Sequence, residues 1–482
     1  MVVIRPQPKR DIYLEQRARF ATLEERMSIG RALRKRVPRS SHGSWSEQKN
    51  RPDPIALLDE QNKVRLQGLV PIRWGRMLES PFVFMRASAL VMATDLASTS
   101  NSGIRVQACG DSHLLNFGAF ATPERNLIFD INDFDETLPA PWEWDVKRLA
   151  ASLEVAGRDR SFSPAKRADI VRTMVHSYRM LIRSLADMTA LERWYSQLDT
   201  ATIIQRFAKT AKARRDVKQA TKQAQRRTME SAFVKMTEVV GGRRRMVDDP
   251  PRIFHVPERR GHPWLNKLVD LYRTTLRDDL HVLLDNYHVV DMVFKVVGVG
   301  SVGTRCGVGL WMANDGDALL LQVKEANRSV LDTYAGPSAY RNHGHRVVMG
   351  QRIMQTASDM FLGWATLQGR HYYFRQLRDM KWSLDPSSAS VDQLTRWGEV
   401  CGATLAQAHA RSTDPGVLSG YLGSKGALDE AMVAFANAYA DQTERDYERL
   451  QTAVKNRRIK AVRGSSAQLA REIVEQSKAA LK

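Results

Sequence analysis

The sequence predicts an α+β fold of two lobes, a larger mainly helical lobe and a smaller lobe built on an antiparallel sheet. Three observations predict it. Short apolar strand candidates joined by a Pro123-Glu124-Arg125-Asn126 turn lie inside an acidic segment, residues 107–145. A second set of strand candidates, joined by a Gly-rich turn and by Asn314-Asp315-Gly316-Asp317, runs from about residue 291 to Glu325. Most of the remaining chain carries apolar residues at helical spacing.

Length and composition bound the answer. A chain of 482 residues with 43% hydrophobic content has room for a large core, either as two or three domains or as one two-lobed enzyme. Cys109, Cys306 and Cys401 stand far apart without C-x-x-C spacing, which argues against a disulfide framework or a zinc site and fits a reducing cytoplasm. No apolar run is long enough to span a membrane, and the N-terminus lacks a secretory pattern. The net charge of +20 favours acidic partners such as nucleotides, nucleic acid or anionic surfaces, without choosing among them.

Taken in order, residues 1–53 read as a basic helix followed by a flexible, Ser-rich arm. Residues 54–290 read as the helical lobe. Within it, the stretch from Leu69 to Ala97 contains Pro81 at a plausible helix start and reads as a buried helix leading into the acidic segment. Asp145 and the residues after it open another helix. Residues 165–232 read as helical, and about 205–250 as a basic insertion whose charge run is best explained as a solvated helix face. Gly241–Met246 reads as a basic loop, with Pro250-Pro251 as a break. Residues 291–382 hold the second strand set, an amphipathic helix from His343 to Trp364 and a strand from His371 to Trp382. Residues 383–482 read as helices with a basic tail.

The chemistry lies in two constellations. In the first, Asp111 and Asn116 form D-x-x-x-x-N, and the strand candidate Leu127-Ile128-Phe129 opens into Asp130, Asp133, Asp135 and Glu136. A hairpin brings Asp111, Asn116 and Asp133 to one of its ends. Phosphoryl transfer needs a carboxylate to orient or deprotonate the attacking hydroxyl, and oxygen ligands to hold magnesium against the phosphates. Any single Asp here is best explained as a solvated turn; the joint pattern is not. In the second, Gly298-Val299-Gly300-Ser301-Val302-Gly303 is followed by a strand rather than a helix, and the third strand carries Lys324. That excludes a dinucleotide fingerprint, and Thr304-Arg305 excludes a Walker loop. A glycine flap over phosphates, with Lys324 reaching them, remains.

GDSHLLNFG followed by NDFDE resembles the catalytic and metal loops of aminoglycoside-phosphotransferase-like members of the protein-kinase-like superfamily, with Cys109 standing where that family has His. The resemblance implies a two-lobed kinase-like fold, ATP and Mg²⁺ as cofactors, and Asp111 as base. It implies Asn116 and Asp133 as metal ligands with Asp135 or Asp130 in support, Gly298, Gly300, Ser301 and Gly303 over the phosphates, and Lys324 positioning them. Asp145 would anchor the helix behind the catalytic loop, as in P-x-x-x-D-L-A, and GATLAQAHARS is similar to a helix of the same enzymes. The helix after Lys324 carries no Glu to pair with it, which leaves Gln351, Gln355 or Asp359 as candidates. Arg375, Gln376 and Lys381 are further candidates for contact with nucleotide or substrate. The motif order is reversed relative to kinases, so the expected arrangement is circularly permuted.

The motifs from about Leu69 to Leu422 also resemble a bacterial family, domain of unknown function 2252. The leading expectation is therefore an ATP- and Mg²⁺-dependent phosphotransferase with an unknown, small-molecule hydroxyl acceptor, nucleotidyl transfer being open to the same parts. The alternatives are a non-catalytic nucleotide sensor or scaffold, and a basic nucleic-acid-binding protein. A metal-dependent hydrolase using His113 with Asp111, Asp130 and Asp133 is a fourth, and it leaves Lys324 unexplained.

Overall fold

The computed structural model describes residues 21–255, 263–296, 298–314, 316–377 and 380–462. Its first helix, α1 (Leu23–Arg36), starts at a capping box in which Thr22 and Glu25 satisfy each other's backbone N–H groups, and it ends in three basic residues. After a short turn at Arg39–Gly43 comes α2 (Pro54–Asn62), capped by Asp53. The stretch expected to be one helix is three: α3 (Val70–Met77), α4 (Pro81–Ala87) and α5 (Ala89–Leu96). Ser80 accepts from Val83 N–H and Pro81 restarts the helix, while Ser88 leaves helical geometry and breaks it again.

Four short strands follow. β1 (Arg105–Ala108) pairs with β4 (Leu138–Pro141), and β2 (Phe117–Ala121) pairs with β3 (Leu127–Ile131) through the Pro123–Asn126 turn, where Arg125 takes a φ of 68°. Then come α6 (Trp142–Asp159) and α7 (Pro164–Ala186). The next helices, α8 (Ala190–Tyr195), α9 (Thr200–Phe207), α10 (Ala211–Gln225) and α11 (Met229–Met236), each begin at a Thr or Asp whose side chain accepts from the first turn. The basic stretch at Gly241–Met246 is not a loop. β5 (Thr237–Val240) and β6 (Arg243–Met246) form a hairpin around Gly241 and Gly242, both at positive φ.

The large sheet is antiparallel. β7 (Ile253–Phe254) leads through α12 (Pro263–Arg273) and α13 (Asp278–Leu284) to β8 (Tyr287–Lys295), β9 (Cys306–Ala313) and β10 (Ala318–Glu325). After α14 (Asp332–Ala335), α15 (His343–Met354) ends well before Trp364, because the rest of that expected helix turns and enters β11 (Gly363–Leu367). With β12 (Arg370–Gln376) the order is β11-β12-β10-β9-β8-β7. Three helices finish the described chain, α16 (Val391–Ala410), α17 (Pro415–Leu422) and α18 (Ala427–Lys455). The class is α+β, small antiparallel sheets beside a larger helical part.

Glycines set the closest helix contacts. A Cβ on Gly402 of α16 would lie 2.3 Å from the Met174 carbonyl of α7, and Gly398 sits one turn earlier on the same seam. Gly30 of α1 and Gly420 of α17 each face the other helix's backbone, where a Cβ would fall about 2 Å from a carbonyl oxygen. The segment after α1 is held as firmly. Arg51 is 4% exposed; it meets Asp95 of α5 at 2.7 and 2.8 Å and Asp446 of α18 at 2.8 and 2.6 Å, and Tyr439 Oη donates to Asp95 at 2.8 Å. The stretch expected as a flexible arm thus ends in a buried cross-link between three elements. No helix among the described residues is long and apolar enough to cross a membrane.

Arg51→Met should leave two buried carboxylates facing each other without a cation. It should cost about 3–5 kcal/mol in urea unfolding; a loss below about 1 kcal/mol would show that this cross-link does not hold the N-terminal segment in place.

Candidate active site

The site begins where β1 ends. Gly110 has a φ of +82°, and a Cβ there would meet the Glu136 carbonyl at 2.4 Å, so only glycine makes this turn. The turn is pinned from behind. Asp145, in the first turn of α6, accepts from Cys109 N–H at 2.6 Å and Gly110 N–H at 2.9 Å. Its Oδ2 also meets His409 Nε2 at 3.2 Å, and His409 Nδ1 meets Tyr178 Oη at 2.9 Å. The Cys109 thiol is buried, lies 3.4 Å from the Asp133 carbonyl oxygen, and has its pKa raised by burial. It joins the two loops and is not a nucleophile.

Asp111 then faces a cavity. Arg148, in the second turn of α6, places Nε 2.6 Å and Nη2 2.5 Å from Asp111 Oδ1. Burial raises the Asp111 pKa and the Arg148 guanidinium opposes that rise. Asn116 Nδ2 donates to the Asp111 carbonyl at 2.6 Å, which directs its amide oxygen away from that bond. His113 lies 4.0 Å from Asp111, accepts from Leu115 N–H through Nδ1, and is held neutral because burial lowers its pKa well below the ordinary range. Asp130 does not join this group. It is buried in β3, accepts from Thr356 N–H at 3.0 Å and Thr356 Oγ1 at 3.2 Å, and burial lifts its pKa to about 6. Its expected support of a metal is replaced by a structural bond to the segment after α15.

Lys324 arrives from β10. Its side chain is 3% exposed, its Nζ stands 3.6 Å from Asp133 Oδ2, and it makes a closer ion pair with Asp135. Asp135 also accepts from Tyr373 Oη at 2.8 Å and from Ser301 Oγ at 3.4 Å. The partner expected from the helix after Lys324 therefore comes from the acidic loop instead. Gln351 bonds Gln355, Gln355 donates to the Ile131 carbonyl, and Asp359 accepts from Phe361 N–H and Gln376 N–H. Glu325, on the opposite face of β10, pairs with Arg305 at 3.3 Å and Arg370 at 2.8 Å. Arg375 of β12 donates to Gln322 at 2.8 Å and to the Asn132 carbonyl at 3.1 Å. Burial alone would raise the Asp133 pKa; Lys324 and Arg375 outweigh it and hold Asp133 below the ordinary range, hence ionised.

These groups line one cavity of about 190 Å³, whose walls include Asp111, Asn116, Asp133, Asp135, Gly298, Gly300, Ser301 and Lys324. Gly303 is not among them. Its φ is +87°, its carbonyl accepts from Leu66 N–H at 2.8 Å, and a Cβ there would lie 3.0 Å from Arg65. It shapes the turn instead of facing the cavity. Of the other candidates, Arg375 lines the cavity, while Gln376 and Lys381 line a different one next to the β2–β3 turn. The walls also hold Glu136 of the acidic segment and four residues that no site motif announced, Arg65, Arg73, Arg86 and Gln322.

Among the described residues no group of three or more His, Cys, Asp or Glu is arranged to hold a metal ion on its own. The donor set fits the way Mg²⁺ is usually held, by one or two carboxylate or amide oxygens with phosphate and water completing the shell. Asp133 and Asn116 would be the residues to offer such oxygens. Asp135 is engaged with Lys324.

Glu136 gives a pH test of this environment. It accepts from Val330 N–H at 2.7 Å, and burial lifts its pKa from 4.5 to about 7 against the pull of Arg346. Between those values the folded state keeps a proton that the unfolded state releases, so this group makes stability fall as pH rises. Glu136→Gln should therefore gain on wild type across pH 4.5 to 7, by at most about 1.4 kcal/mol per pH unit. A stability difference that stays flat with pH would contradict the assignment.

No curated protein and no solved structure matches the chain significantly. A family profile does, over residues 65–453, a span that contains every residue lining the cavity apart from Gln61. With most of its length inside that match, the chain belongs to the DUF2252 family, described as an uncharacterized protein conserved in bacteria.

Proposed function

We propose that this protein is an ATP- and Mg²⁺-dependent phosphotransferase acting on a small-molecule hydroxyl. One observation carries the reading: Lys324, on the strand that follows a glycine turn and its return strand, stands 3.6 Å from Asp133 in a cavity shared with Asp111 and Asn116. Strand, glycine turn, strand, Lys-bearing strand and helix is the order in which kinases build their phosphate clamp. Here β8, the turn at Gly298–Gly303, β9, β10 and α15 follow that order. The loops with Asp111 and Asp133 precede these elements in the chain, but a site depends on spatial and not sequential order.

In this reading Mg²⁺-ATP supplies the phosphoryl group, with its charge shared between the ion and Lys324. Asn116 and Asp133 offer oxygens to the ion. Gly298, Gly300 and Ser301 bring backbone close to the phosphates with little side chain in the way. Asp111 orients the acceptor hydroxyl, and its pairing with Arg148 favours orientation over full proton removal, because the guanidinium weakens it as a base. That same pairing favours a second reading, a nucleotide sensor that binds without transfer.

Thermal unfolding separates these. Mg²⁺-ATP should raise the melting temperature of the wild type by mass action, ATP without Mg²⁺ should do so less, and Asp133→Asn should lose most of the shift. Binding without turnover would select the sensor. No shift with any nucleotide would overturn both.

A further inference from the structure

The cavity is asymmetric in charge, and the asymmetry has no role in the reading above. Lys324 and Arg375 are matched by Asp133, Asp135 and the Asn132 carbonyl on one side. On the other side, three arginines enter from residues 65–86. Arg73 is fully buried; both of its terminal nitrogens are engaged, by Asn62, Gln61 and the Ala87 carbonyl, and only its Nε lacks a partner. Arg65 donates once, through Nη1 to the Val302 carbonyl at 2.7 Å, and its Nε is buried without a partner. The Arg86 guanidinium makes no hydrogen bond or ion pair among the described residues. Its nearest partner is the Phe82 ring, with Cζ 5.9 Å from the centroid, and its Nε is buried and unsatisfied.

A guanidinium largely removed from water with no acceptor is costly, and an anionic oxygen removes that cost. We propose that Arg86 and Arg65 form an anion subsite on the Asp111 side of the cavity, and that the acceptor is an alcohol already carrying a phosphate or carboxylate group. The acceptor assignment rests on the phosphotransferase reading; the anion subsite does not. Position argues for the acceptor over the nucleotide. Arg86 feels Asp111 more strongly than any other acid, and Asp111 is where an attacking hydroxyl must sit. The glycine turn and Lys324 already provide for the nucleotide phosphates. The Arg86 carbonyl lies against Gly300, where a Cβ would stand 3.4 Å away, so the subsite and the turn form one continuous wall. A cationic amino alcohol would meet Arg65, Arg73 and Arg86 and be repelled.

The test is calorimetric titration of the full chain with inorganic phosphate, alone and in the presence of saturating Mg²⁺ and a non-hydrolysable ATP analogue. Phosphate should bind in both conditions. Arg86→Gln and Arg65→Gln, each checked for native circular dichroism, should weaken it by about tenfold or more, as expected for loss of a charge-assisted hydrogen bond. Analogue binding should change by less than about threefold, roughly 0.6 kcal/mol. Phosphate binding unchanged in both folded variants, or absent in the wild type, overturns the subsite. Phosphate excluded by the analogue, with analogue binding itself lost in Arg86→Gln, gives these arginines to the nucleotide and overturns the acceptor assignment. Arg86-dependent phosphate binding in a wild type that ignores the analogue keeps the subsite and removes the nucleotide reading instead.

Discussion

A buried ammonium has to be answered by charge, and in this protein the answer comes from a distant stretch of chain. Lys324 sits on a strand whose residues are all buried, and an unmatched cation there would be expelled or neutralised. Asp133 and Asp135 meet it from the acidic loop, with Tyr373 and Ser301 bracing Asp135. That contact joins the large sheet to the acidic loop, and Arg375, held by Gln322, repeats the join through the Asn132 carbonyl.

Helix α6 carries the other half of the site. It is buried along nearly its whole length, so each charge on it needs a partner at a fixed place. Asp145 takes two loop N–H groups and His409, Lys147 reaches Thr99 and lies 4.8 Å from the Phe435 ring centroid, Arg148 takes Asp111, and Glu154 meets Arg158 and Arg167. Buried ion pairs are a weak source of net stability, but a half-made one is strongly destabilising. The network thus acts mainly to exclude other placements of the loop that carries Gly110 and Asp111.

The features legible in the sequence are those that local rules encode. The Pro123–Asn126 turn between two apolar runs announces a hairpin, and the glycine turn followed by apolar strand candidates announces β9 and β10. The alternation of side chains along a strand separates Glu325 from Lys324, and the two do face opposite sides. What stayed hidden depends on contacts across long separations. Nothing near Lys324 points to Asp135 as its partner, and nothing near Arg86 or Arg65 points to the cavity wall. Local signals were also outweighed in places. Ser80-Pro81 and Ser88 cut one apolar run into three helices, and paired glycines turned a basic loop into a hairpin.

The account therefore turns on whether two pieces of chain, nearly two hundred residues apart, are energetically joined at this contact. A double-mutant cycle in urea between Asp135→Asn and Lys324→Met measures that directly, because it isolates the pair from the rest of each side chain's environment. The account predicts a coupling free energy above about 1 kcal/mol, with the double variant less destabilised than the two single losses added together. Additivity within about 0.5 kcal/mol would contradict it, since side chains that do not meet in the folded protein lose stability independently.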